Sequence, residues 1–169
     1  NSEPELSFIA GGAFEGSTIE DFAFEQCKVL EIIGVYAFNQ TKLKKVDCTK
    51  CPKLKIVDDY AFLNTTELEI ADFSGCSELE EIGNWAFANT TAMKNVIFNG
   101  CSKLEYIRAC AFFQSGVSEM DFTGCSSLSY IGLLAICKTN LEQLDISPCS
   151  SLATLEIGAI SSNDNLTYI

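Results

Sequence analysis

The sequence contains no histidine at any of its 169 positions. Histidine is the usual general base of enzymes and the commonest metal ligand. Its absence excludes a Ser-His-Asp or Cys-His catalytic site within the chain. No segment resembles a metal-binding loop either. We therefore predict that the protein is not an enzyme, holds no cofactor and carries no metal ion.

Basic side chains and long apolar runs are also scarce. The 11 Lys and Arg residues are outnumbered by 23 Asp and Glu residues, which gives a net charge of −12. Binding to nucleic acid needs a basic patch, so we predict no such partner. An acidic surface suits a protein partner with cationic patches, or serves solubility alone. No apolar run approaches the ~18 residues of a transmembrane helix, and no signal-peptide pattern opens the chain. We predict no membrane span in this chain.

What the sequence has in quantity is one repeated pattern. A cysteine is followed by leucine, isoleucine, an Ala-Phe pair and a final apolar segment. Six copies begin at evenly spaced cysteines, and a further copy without the cysteine begins at Glu3. A fixed period of ~24–25 residues is typical of a solenoid, so we predict a single domain over positions 1–169. Neither end carries a polar capping unit. We therefore expect a fragment of a longer array, whose exposed end strands favour end-to-end self-association.

Each unit contains one segment that we predict to be a short strand. In Leu43-x-x-Val46-x-Cys48 and its copies, the last two apolar residues lie two apart and point to the same side of an extended chain. One such strand per unit, stacked in parallel, predicts a β-sheet on the concave face. The Ala-Phe region is too short for an α-helix and is expected to form 3₁₀ or turn segments on the convex side. A glycine often follows the isoleucine, as at Gly34 and Gly83, and indicates a turn or a left-handed backbone.

The patterns C-x-x-L-x-x-I-G-x-x-A-F and L-x-x-V-x-F together resemble the BspA-type leucine-rich repeat over essentially the whole chain. The resemblance implies an α/β-type leucine-rich repeat solenoid of seven coils, each of ~24–25 residues. It also implies a surface-exposed or secreted protein of bacteria or protists that adheres to host cells, matrix proteins or other microbes. The strands run into Asp-Phe-Ser/Thr-Gly-Cys rather than the Ile-Pro of the bacterial form. This departure favours a protist source.

The concave face is the usual binding surface of a solenoid. Its candidate residues are the strand side chains that point away from the core, and among them Asp47 is expected to stack on Asp72, and Asp121 on Asp145. Two interpretations stay open: an acidic binding strip with the apolar Ile97 at its centre, or a solvated strand face. The candidates are Asp21, Lys45, Asp47, Ile70, Asp72, Asn95, Ile97, Glu119, Asp121, Gln143 and Asp145. A row of Tyr36, Tyr60 and Trp85 before Ala-Phe is either a second, convex patch or packing between coils.

Nine cysteines are present, and six of them open the repeats. We expect these six to form a buried structural ladder, because a buried free cysteine behaves as a small hydrophobe and stacked parallel side chains have poor disulfide geometry. The ladder comprises Cys27, Cys51, Cys76, Cys101, Cys125 and Cys149. Cys48 is expected in the core. Cys110 and Cys137 are expected to be partly exposed beside the Ala-Phe turn, and they are the one pair that we would test for a disulfide.

Four Asn-x-Ser/Thr sequons are candidate N-glycosylation sites, at Asn39, Asn64, Asn89 and Asn165. The first three follow Ala-Phe at nearly the same place in the repeat. Glycans there would lie along one outer surface of a secreted protein. The alternative is that Asn and Thr serve only as turn residues at these places.

The resemblance predicts a non-enzymatic adhesion or recognition module that is exposed at the cell surface or secreted and binds host or matrix proteins. Two alternatives remain open. One is an intracellular protein-interaction scaffold, which free cysteines suit because that compartment is reducing. The other is a structural spacer within a longer repeat array. Glycan occupancy separates the secreted protein from the intracellular one.

Overall fold

The computed structural model describes residues 5–169, which form eleven short strands, one 3₁₀ helix and many turns. The 3₁₀ helix spans Phe24–Gln26. The strands, numbered in chain order, are β1 (Phe8–Ile9), β2 (Ile32–Ile33), β3 (Lys45–Asp47), β4 (Ile56–Val57), β5 (Ile70–Asp72), β6 (Glu81–Ile82), β7 (Asn95–Ile97), β8 (Tyr106–Ile107), β9 (Glu119–Asp121), β10 (Tyr130–Ile131) and β11 (Thr154–Leu155).

The strands form two parallel sheets. The first sheet has seven strands in the order β1-β2-β4-β6-β8-β10-β11, and the second has four in the order β3-β5-β7-β9. Each strand pairs with its counterpart one repeat away, as Ile32 does with Ile56 and Val46 with Ala71. The predicted parallel solenoid, with one coil per sequence repeat, is therefore confirmed, and the first sheet spans about six turns of it. Glu3, the predicted start of the first coil, lies outside the described residues.

The segment around the leucine and isoleucine of the repeat supplies the two-residue strands of the first sheet. The second residue points inward in every one of them except β11, where both residues are exposed. Ile33 and Ile82 are fully buried in this way, while the residue before each is half-buried. The coil thus has a hydrogen-bonded sheet on each of two sides.

Phenylalanines fill the core between the two sheets. Phe38, Phe62, Phe87 and Phe112 stack as a ladder with centroid separations of 5.2, 4.9 and 5.3 Å. A second ladder runs through Phe73, Phe98 and Phe122 at 5.6 Å per step. Near-parallel rings at these separations stabilise the core beyond the burial of their apolar area.

The Ala-Phe region is a run of turns and contains no 3₁₀ helix, so the 3₁₀ alternative there is wrong. Two residues of each turn region have a left-handed backbone, as at Tyr60 (φ 59°) and Asn64 (φ 55°). Such a backbone costs ~1–2 kcal/mol for a residue other than glycine. It is held by hydrogen bonds to the next coil, since the amides of Tyr60, Phe62 and Asn64 donate to its carbonyls at 2.8–3.0 Å. In the Ala-Phe turns, as in the two sheets, the backbone N–H of every second residue therefore donates a hydrogen bond to the neighbouring coil.

The glycine that follows the isoleucine has a different role from the one expected. Gly34 and Gly83 do not have a positive φ. A Cβ atom on Gly83 would lie 2.5 Å from the backbone nitrogen of Asp59 in the preceding coil. At Gly83, glycine therefore allows the close approach of two backbones rather than a left-handed turn.

Candidate functional site

The second sheet presents two columns of side chains to the outside. One column contains Lys45, Ile70, Asn95 and Glu119, and the other contains Asp47, Asp72, Ile97 and Asp121. The middle residue of each strand is buried, and its two neighbours are exposed or half-buried. Asp47 lies beside Asp72, as the sequence predicts. Eight of the candidate residues therefore share one face.

The aspartates at the strand ends have a structural role that the sequence interpretation missed. The Oδ1 atom of Asp72 accepts a hydrogen bond from the backbone N–H of Ser74 at 2.9 Å. Asp47, Asp121 and Asp145 accept equivalent bonds from Thr49, Thr123 and Ser147. Such an Asx turn ends the strand and leads into the next coil. The signal was the repeated Asp-x-Ser/Thr spacing.

Charge on this face is compensated at one end. The Nζ atom of Lys45 lies 2.7 Å from Oδ2 of Asp47. This bond, with the hydrogen bonds from Thr49, holds the pKa of Asp47 below its usual range. At the other end, Asp121, Glu142 and Asp145 form no ion pair within residues 5–169. The pKa of Asp145 is lowered by hydrogen bonds from Ser147. The face therefore becomes more negative toward its C-terminal end.

Three candidates lie outside the second sheet. Asp21 precedes the 3₁₀ helix in an irregular segment, and neither Gln143 nor Asp145 pairs with β9. Gln143 instead forms a parallel bridge with Tyr168. The expected stacking of Asp145 on Asp121 is therefore wrong.

The second sheet is broken at this step by a cleft of about 470 Å³. At three earlier steps the same hydrogen bond joins the coils, from Cys48, Phe73 and Phe98 to the following coil at 2.8 Å each. The next bond in this series would run from Phe122 to Asp145 and is missing. Within the described chain, no backbone hydrogen bond joins residues 118–123 to residues 141–147. The cleft is lined by Ser118, Glu119, Met120, Glu142, Gln143 and Asp145.

One substitution in the repeat coincides with this break. The three preceding coils end on Gly75, Gly100 and Gly124, all with φ between 77° and 80°. Pro148 occupies the equivalent position in the next coil. Proline restricts φ to negative values and has no N–H, so this turn cannot repeat the conformation of the other three. The coils remain joined through the first sheet, where β8 pairs with β10. The cleft therefore opens only on the face of the second sheet.

All nine cysteines are free and buried. From Cys51 to Cys125, the repeat-opening thiols donate to a carbonyl of the preceding coil at 3.2–3.3 Å, as Cys101 does to Phe73. Burial raises the pKa of Cys76 and of Cys125 to about 12. The expected partial exposure of Cys110 and Cys137 is wrong, since they are 5% and 2% exposed, and no disulfide joins them.

The sequons do not share one environment. Asn39 is 4% exposed, and its Nδ2 atom donates to Oε1 of Glu15 at 2.7 Å. Asn64 and Asn89 occupy the left-handed position one residue further along the turn, and Asn89 donates to Asn64. Asn165 is exposed. The three sequons expected in one row therefore reduce to two in equivalent positions.

The aromatic row is packed between coils and is half-buried. Tyr36 and Tyr60 stack at a centroid distance of 4.7 Å, and Trp85 makes an edge contact with Phe113 at 5.6 Å. Among residues 5–169 there is no group of three or more Cys, Asp or Glu side chains that could hold a metal ion. The same residues form no helix of the length and apolarity that would cross a bilayer.

Comparison with known families identifies the repeat. A family model described as a BspA type leucine-rich repeat region matches six copies, over residues 7–135 and 81–169. A search of curated proteins finds no match.

Two solved structures are similar to this chain. A leucine-rich repeat protein from Bacteroides ovatus is 23% identical with a TM-score of 0.64, over 82% of this chain and 34% of that one. The functional domain of InlJ from Listeria monocytogenes, described as including a cysteine ladder, is 18% identical with a TM-score of 0.25, over 83% of this chain and 37% of that one. The chain thus spans about a third of the length of these relatives. At this identity, the likeness to the Bacteroides protein supports the fold alone.

Proposed function

Since this chain belongs to the BspA-type leucine-rich repeat family, we propose that it is a non-enzymatic recognition module that binds proteins at the cell surface or outside the cell. The partners that we propose are proteins of host cells or of the extracellular matrix. The face of the second sheet is the proposed binding surface.

The observation that carries this proposal is the regular surface of the second sheet. Its four strands hold eight outward side chains in two straight columns. Because the strands are hydrogen-bonded on a packed core, the backbone that carries these side chains loses little freedom on binding, which favours affinity. Apolar Ile70 and Ile97 lie on β5 and β7, the two central strands, which matches the apolar centre and polar rim of protein interfaces.

An intracellular scaffold is a second candidate, and two observations favour it. All nine thiols are free, as in proteins of reducing compartments. The geometry of Asn39 favours it too, because a glycan on its buried amide would disrupt the bond to Glu15. Mass spectrometry of the protein from its native source separates the two candidates. Glycan on Asn165 or Asn64 supports the extracellular protein, and unmodified sequons with reduced thiols support the scaffold.

Binding of the purified chain to cultured cells and to immobilised matrix proteins tests the proposed function. The informative variant combines Asp47→Asn, Asp72→Asn and Asp121→Asn. Asparagine keeps an Oδ1 acceptor for the Asx turn and removes only the charge. We expect the dissociation constant of this variant to rise by up to roughly tenfold, because three charges are removed from the surface.

A matched control removes the same charge elsewhere, through Glu5→Gln, Glu80→Gln and Glu156→Gln at exposed positions. It should bind like the wild type. Equal loss in both variants would indicate an effect of net charge rather than of this face. No binding by any of the three proteins would contradict the proposed function and leave the scaffold or a structural spacer.

A further inference from the structure

The break in the second sheet leaves two strand edges facing each other across the cleft. In a regular parallel sheet, both edges would be used in pairing. Four links that recur at earlier steps are missing here. They are the bonds expected from Glu142 to Ser118, from Phe122 to Asp145, from Gly124 to Ser147, and from the thiol of Cys149 to Phe122. Each has a counterpart one coil earlier, so the omission is local.

The edge of β9 is free on the side of the cleft. The Glu119 N–H donates to Lys94, and the Asp121 carbonyl accepts from Phe98, so both residues bond toward β7. Neighbouring residues of a parallel strand bond to opposite sides. The N–H and C=O of Met120 therefore face the cleft, and so does the N–H of Phe122.

The opposite wall is also free of a backbone partner across the cleft. The Leu144 N–H donates to Tyr168, in the coil beyond. By the same alternation, the backbone groups of Gln143 and Asp145 face back toward β9. An exposed strand edge of this kind is a template for another extended chain.

Charge and size identify the kind of chain that fits. Glu119, Glu142 and Asp145 line the cleft, and no Lys or Arg of the described residues does so. The cleft volume of about 470 Å³ lies within the ~300–1,000 Å³ typical of ligand sites. An extended peptide that presents amino or guanidinium groups to these carboxylates matches both the backbone donors and the charge.

We propose that the cleft between β9 and residues 142–145 binds an extended, lysine- or arginine-bearing segment of a protein partner as an added β-strand. Main-chain hydrogen bonds to Met120 and Phe122 provide the docking, and the carboxylates select cationic side chains. This inference rests on the proposed function as a protein-binding module, and it adds the location and the chemistry of the partner.

The test uses a short capped peptide of alternating lysine and threonine. A second peptide has the same sequence with every backbone nitrogen methylated, so that it keeps the charge and loses the backbone donors. We expect the first peptide to bind and to slow amide hydrogen exchange at Met120 and Phe122 roughly tenfold or more. The methylated peptide should do neither. Equal binding of both peptides, binding without slower exchange, or no binding at all would overturn the proposal.

A pair of variants tests the role of charge. Glu142→Gln with Asp145→Asn should weaken binding of the unmethylated peptide roughly three- to tenfold, while Glu80→Gln with Glu156→Gln should leave it unchanged. Equal effects in both pairs would overturn the charge selection. If the chain binds cells or matrix proteins while the peptide does not bind, this inference fails and the proposed function stands. If the peptide binds but the chain binds neither cells nor matrix proteins, the peptide-binding cleft stands and the proposed host and matrix partners fail.

Discussion

At the scale of single residues, the repeat reuses a few side chains for structural bonds between coils. Each buried thiol from Cys51 to Cys125 donates to a carbonyl one coil earlier. The aspartates at the ends of β3, β5 and β9, and Asp145 in the next coil, each accept a hydrogen bond from the backbone N–H two residues further on. The acidic face is therefore partly a consequence of how the strands end. Only a substitution that keeps the acceptor, such as Asp→Asn, separates that structural role from binding.

The thiol ladder predicts a loss of stability in alkaline solution. Burial raises the pKa of Cys76 and Cys125 from 9.0 to about 12, so the folded state keeps protons that the unfolded state releases above pH 9. A group with a raised folded pKa stabilises fully below its unfolded pKa and loses that effect as the pH rises toward its folded pKa. We expect the urea midpoint to fall between about pH 8 and about pH 10, where lysines remain mostly charged.

The control for this prediction is a variant with Cys76→Ala and Cys125→Ala. It should be less stable at neutral pH, because it loses buried volume. Its midpoint should then fall less steeply with pH than that of the wild type. Parallel pH profiles for the two proteins would show that the thiols are not the cause.

At the scale of elements, the two sheets differ in continuity. The first sheet is unbroken from β1 to β11, although its strands have only two residues each. The second sheet has longer strands but stops at β9. The break coincides with a change in turn chemistry, since the glycine turns of Gly75, Gly100 and Gly124 give way to Pro148 at this step.

Substitution Pro148→Gly should close the cleft. Glycine at this position can adopt the positive φ of its three counterparts and supplies the missing N–H. We expect slower amide exchange at Met120 and Phe122, approaching that of Val96 and Phe98 one coil earlier. Pro52→Gly is the matched control, since Pro52 is an exposed proline far from the break. Unchanged exchange at Met120 in Pro148→Gly would show that proline does not hold the cleft open.

The sequence predicts the coil far better than it predicts this break. Regular spacing of Cys76, Leu79, Ile82 and Phe87 determines the period and the core, because each apolar position recurs in every unit. Alternation in β3, β5, β7 and β9 identifies the outward residues of the second sheet. Two-residue strands such as β6 carry no alternation to detect, so the first sheet was not predicted. Pro148 at a glycine position was the visible signal for the break.

At the scale of the whole molecule, stability depends on the stacking of neighbouring coils. A coil in the middle of the array is covered on both sides, and Phe87 stacks between Phe62 and Phe112. Phe14 in the first coil stacks only on Phe38 along this ladder and remains half-buried. Solenoids of this kind gain stability from interfaces between neighbours.

Truncation of the same residue type at two places should show this dependence. We expect Phe87→Ala to lower the free energy of unfolding by ~3–5 kcal/mol, as for a fully buried phenylalanine. Phe14→Ala should lower it by less than half as much, because part of its surface is already in contact with water. Urea denaturation of the two variants checks the difference. Equal losses would contradict coil stacking as the main source of stability.

We propose that a protein partner binds on the face of the second sheet, at and beside the cleft. Amide hydrogen exchange of the whole chain, measured with and without a matrix protein that it binds, tests this proposal. We expect slower exchange at Met120, Phe122 and the residues around Gln143, with little change at Ile82 and Ile107 in the first sheet. Slower exchange confined to the first sheet or to the Ala-Phe turns would contradict this claim.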